Sequence, residues 1–116
     1  MNIRLLGLLI TTLFFISIYD ASGQRFYETE TVEAADFTVY AVWEVEQCDL
    51  KVCFVYEEQD ATEPGRWMEV PEPEQADIKI IFVDDEALAD LKLFVVDACP
   101  DAGWHTTGKE ELLKFK

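Results

Sequence analysis

Ala76-Asp77-Ile78-Lys79-Ile80-Ile81-Phe82-Val83-Asp84 is followed, 13 residues on, by Ala89-Asp90-Leu91-Lys92-Leu93-Phe94-Val95-Val96-Asp97. Each stretch is a small residue and an aspartate, then a run rich in β-branched and aromatic side chains, then a second acid. That is the composition and length of a β-strand between turns. Upstream, Cys48-Asp49 opens Leu50-Lys51-Val52-Cys53-Phe54-Val55, and Ala35-Asp36 opens the looser Phe37-Thr38-Val39-Tyr40-Ala41-Val42. From Asp49 to Asp77 the gap is 28, two units plus an insertion around Ala61-Thr62-Glu63-Pro64-Gly65. Arg66-Trp67-Met68-Glu69-Val70 is then a degraded copy, Arg25-Phe26-Tyr27-Glu28-Thr29 opens the series, and Ala102-Gly103 begins a last step. About six 13-residue units account for most of the chain, and such a period decides the architecture.

The alternation inside the unit narrows it further. Ile78, Ile80 and Phe82 share one face of a strand, as do Leu50, Val52 and Phe54. The opposite face reads Lys79, Ile81, Val83, so it too is mostly apolar. A meander with one wet face alternates more cleanly. The expected fold is therefore all-β, a compact barrel-like sheet whose two faces are both covered.

The string small-Asp-apolar-Lys followed by three apolar residues, Val and Asp resembles the 7(1) septoil knot domain family of small bacterial proteins. Its carriers are Ala76 to Asp84 and Ala89 to Asp97, with Ala102-Gly103-Trp104 at the close and Gly65-Arg66-Trp67 near the middle. The resemblance spans Arg25 to Trp104. It is looser in the first two repeats, where Val39-Tyr40-Ala41-Val42-Trp43 lacks the Lys and the final Asp. It implies a small barrel-like domain wound as a torus knot, and it carries over no activity and no site residues.

Residues 1–23 read as a secretory signal: Arg4, an apolar run from Leu5 to Ile18, then Ala21-Ser22-Gly23 before the cut. The apolar run is short for a bilayer span, which needs about 20 residues. The expected division is signal 1–23, repeat domain 24–106 and a tail 107–116, which either caps the last repeat or stays mobile. Removing the leader takes away Arg4 and Asp20, one charge of each sign, so the net charge stays at −15. That field repels phosphate backbones and anionic headgroups, so nucleic acid and membrane surfaces are poor partners. A cationic or envelope partner suits it better, and the protein is expected to be a secreted or periplasmic monomer.

Three cysteines, Cys48, Cys53 and Cys99, leave either one disulfide with a free thiol or three unpaired thiols. The mature stretch holds no Ser and no Asn, which excludes a serine triad and N-glycosylation. His105, six residues past Cys99, allows a Cys-His pair in form. Asp36, Asp49, Asp77 and Asp90 would make a calcium ladder if the fold stacked them. The plainer reading is that each caps its own turn, with Lys51, Lys79 and Lys92 as ion-pair partners. Asp84-Asp85-Glu86 and Asp97 supply carboxylates for hydrolysis, but as strand-end residues they read first as solvated turns. Trp43, Trp67, Trp104, Tyr40 and Tyr56 are candidates for stacking on a sugar or a partner, with core filling the plainer role for Trp67 and Trp104. No residue is assigned as catalytic, cofactor-binding or metal-binding, and no cofactor is expected. The leading expectation is an exported, non-enzymatic structural or binding domain with an acidic surface; the rivals are a small hydrolase and a calcium-binding repeat module.

Overall fold

Strands form where the repeat places its apolar runs. In the computed structural model, which describes residues 24–113, they are β1 (Arg25–Glu28), β2 (Phe37–Ala41), β3 (Leu50–Phe54), β4 (Arg66–Glu69), β5 (Ile78–Phe82), β6 (Leu91–Val95) and the short β7 (Gly103–Trp104). The proposed leader lies outside the described residues. Acidic 3-10 turns fill the connections at Val45–Gln47, Glu58–Asp60, Pro73–Gln75, Glu86–Leu88 and Cys99–Asp101. Each is one tight turn, closed by a bond such as Cys48 N–H to the Val45 carbonyl at 3.1 Å.

Neighbouring strands run in the order β4-β1-β5-β2-β6-β3, and β3 then pairs with β4 to close a six-stranded barrel. All six pairings are parallel, and only β7 is antiparallel, lying against the first half of β3. Parallel strands are normally buried on both faces, which is why the runs carry so little polar alternation. Among these six, only β3 and β4 are neighbours both in sequence and in space.

Register keeps one face of every strand inside. Phe26 stands opposite Ile78, Phe37 opposite Ile80, Val39 opposite Leu91 and Leu50 opposite Leu93. These residues, with Val52 and Trp67, make the buried interior, and Trp67 is completely buried. Burying each of these side chains contributes roughly 1.5–3 kcal/mol. Outside the wall, Cys53, Val55 and Ala61 form a second cluster with Met68, Val96, Cys99 and Ala102. The Cys53–Cys99 disulfide runs through it, with Cα atoms 5.2 Å apart, and ties the last 3-10 turn to β3.

The insertion has a steric reason to end in glycine. Gly65 sits at φ +90°, and a Cβ there would lie 2.5 Å from the Lys51 carbonyl oxygen and 2.8 Å from the Gly103 nitrogen. Three strands meet at that point, and only a hydrogen side chain fits. The tail docks too: Lys109 Nζ reaches Asp49 Oδ2 at 3.3 Å and the Asp90 carbonyl at 2.8 Å. Leu113, in a closing 3-10 turn (Glu110–Leu113), joins the core. As far as residue 113, then, the tail caps the barrel.

Candidate binding site at the barrel mouth

The repeated aspartates have a shared use that differs from the expected cap. Asp36 Oδ2 accepts the Lys79 N–H at 2.8 Å, while the Asp36 N–H donates to the Lys79 carbonyl. Asp49 holds Lys92 in the same way, Asp77 holds Arg25 and Asp90 holds Thr38. Each aspartate thus grips both backbone groups of one residue on the adjacent strand. The turn-capping expectation is corrected to this extent: the bonds cross between strands rather than closing the residue's own turn. A carboxylate accepts where a parallel neighbour's carbonyl would otherwise be needed, which satisfies an N–H at the strand's start.

These aspartates are spread around the barrel, and no group of three or more His, Cys, Asp or Glu among the described residues converges as a metal site. Of the lysines, Lys92 pairs with Glu86 at 3.3 Å; it is the main chain of Lys79 and Lys92 that the aspartates hold. Asp85 caps Ala87 N–H at 3.0 Å, and Asp84, Glu86 and Asp97 are exposed. Cys99 is bonded to Cys53, so it offers His105 no thiol in this state; the backbone N–H of the exposed His105 donates to the Asp49 carbonyl. Cys48 is the free cysteine. Its burial, and next the adjacent Asp49 charge, push its thiol pKa up from 9.0, with Lys51 opposing.

Trp67 fills the core, as expected, and Trp104 packs at its edge. The Trp67 ring lies 5.6 Å from Phe26, and its buried Nε1–H has no hydrogen-bond partner among the described residues. Trp43 and Tyr56 are almost fully exposed, at 89% and 87%. They follow β2 and β3 at matching positions, just past the strands' C-terminal ends.

At that end the barrel opens. A cleft of about 840 Å³ is lined by Phe26, Phe54, Tyr56, Met68, Phe82 and others, with Glu28 and Glu69 among them. In α/β barrels and open α/β sheets, ligands sit at the C-terminal ends of the parallel strands, and the cleft here lies at the same end of its strands. Following the inward face up each strand, the last residues are Glu69, Glu28, Phe82, Ala41, Val95 and Phe54 in order around the ring. Sequence reading passed over Glu28 and Glu69. The available signal was their position: both stand where intact repeats carry an apolar residue.

The 7(1) septoil knot domain family matches residues 23–105. The chain belongs to that family. Neither a curated protein nor a solved structure matches the chain. The family match spans the whole barrel, including both degraded repeats, and ends just after β7.

Proposed function

We propose that this septoil knot domain is an exported, non-enzymatic binding domain that takes its ligand or partner at the open mouth of the barrel. The observation that carries the reading is the cleft itself: it is aromatic-lined, lies at the C-terminal ends of parallel strands and is of small-molecule size. The Cys53–Cys99 bond supports export, since disulfides persist in oxidising compartments, and the leader 1–23 supplies the route. The charge of −15 favours cationic over anionic partners. The strand order, in which most connections skip one strand, is the order that a ring wound twice requires, and we read the chain as the family's torus knot on that ground.

The test has two parts. Intact mass of the exported protein should correspond to residues 24–116, and a mass that includes the leader sinks the export reading. A fragment mixture added to the mature chain should shift amide resonances of Glu28, Phe54, Glu69 and Phe82 as a group. Shifts confined elsewhere, or turnover of glycans or peptides by the purified protein, overturn the binding-domain reading.

A further inference from the structure

The geometry points to a cation-binding cup at the mouth, built for an organic ammonium group carried on an apolar body; this deepens the binding reading above and rests on it. Four intact repeats end their inward face on Ala41, Phe54, Phe82 and Val95. The two degraded repeats, Arg-Phe-Tyr-Glu and Arg-Trp-Met-Glu, end theirs on Glu28 and Glu69. These two copies lie far apart in sequence, yet β1 and β4 are neighbours, with Phe26 opposite Glu69 and Glu28 two residues further along β1. The departures from the repeat therefore meet at one place.

The flanks complete the cup. Phe54 ends β3, on the far side of β4, and Phe82 ends β5, on the far side of β1, so the arc runs Phe54, Glu69, Glu28, Phe82. All four line the cleft, whose lining also includes Phe26. Neither glutamate makes a side-chain hydrogen bond or an ion pair among the described residues, although Arg25 on the same strand pairs with Glu58 and Asp77. Unpaired carboxylates in a cleft also lined by aromatic rings attract a weakly hydrated cation through charge, and the ring quadrupoles add to it. The apolar residues then cover the cation's substituents. An anion is repelled by the same pair, and a neutral apolar molecule gains only the contact with the rings.

The experiment titrates the mature chain with phenyltrimethylammonium and, in parallel, with its neutral isostere tert-butylbenzene, following amide shifts. Saturable binding of the cation at Glu28, Phe54, Glu69 and Phe82 is expected. Glu28→Gln with Glu69→Gln should weaken it by about tenfold or more. The pair Glu33→Gln with Glu46→Gln removes the same charge from exposed positions elsewhere and should leave it nearly unchanged. Both double variants are exposed polar changes, and an unchanged melting temperature verifies folding. Equal binding of the isostere overturns the cation inference while leaving the mouth a binding site. An equal loss in the control pair also overturns it, as diffuse charge attraction. Absence of binding by either probe overturns the inference and the mouth reading together.

Discussion

Where the strands begin, Asp36, Asp49, Asp77 and Asp90 grip neighbouring backbones, and the tail lies across Asp49 and Asp90 with Leu113 in the core. Where the strands finish, Glu28 and Glu69 hold no partner among the described residues and line an open cleft. One repeat makes both ends. At the first its acids satisfy main-chain donors, so they are structure; at the second the acids stand in for apolar residues and satisfy nothing, so they are available. Acidity alone does not distinguish the two sets. What separates them is the partner each carboxylate has.

That contrast can be broken at several strengths. The largest effect should come from the disulfide that ties the turn before β7 to β3. With its cysteines 46 positions apart in sequence, reducing it or making Cys53→Ala with Cys99→Ala should cost about 4 kcal/mol in urea denaturation. A change below 1 kcal/mol would mean that the barrel stands without it. Next is Gly65→Ala, which places a Cβ against Lys51 and Gly103 at positive φ and should cost roughly 3 kcal/mol.

Asp77→Ala and Glu69→Gln set one residue of each end against the other. Asp77 accepts the Arg25 N–H at 3.0 Å and its guanidinium at 3.0 and 3.1 Å, half-buried. Losing it should cost roughly 2 kcal/mol, whereas the mouth residue should change stability by less than about 0.5 kcal/mol. Equal costs would erase the distinction between the ends.

The smallest effect concerns Cys48, beside the Asp49 clamp. Its folded pKa is raised above 9.0 chiefly by burial, so below pH 9 the thiol is neutral in both states. Above that the unfolded chain ionises first, and stability falls as pH rises. Subtracting the pH profile of Cys48→Ala should isolate a decline that begins near pH 9. An identical slope in both proteins would mean that the thiol is not held in a dry site.

Much of the fold was legible because the repeat is regular. Leu50, Val52 and Phe54 declare one face, and the near-apolar opposite face requires cover, which barrel closure and the outer cluster around Cys53 supply. Which strands pair was not legible, since a step of 13 says nothing about which copy lies beside which. For that reason the sequence does not specify the Cys53–Cys99 pairing, and it suggests that Asp36 serves its own turn when its partner is Lys79. The mouth was hidden for the same reason: Glu28 and Glu69 look like ordinary strand-end acids until β1 is set beside β4.

The strand order also governs how the chain comes to be folded. None of β1, β2 and β3 pairs with another of the three; each waits for β4, β5 or β6. Synthesis from the N-terminus therefore delivers three apolar strands before any of them has a ladder to join. Nearly all closing contacts are remote in sequence, which makes formation slow and late. A nascent chain of this kind stays threadable through a narrow pore until its second half has followed.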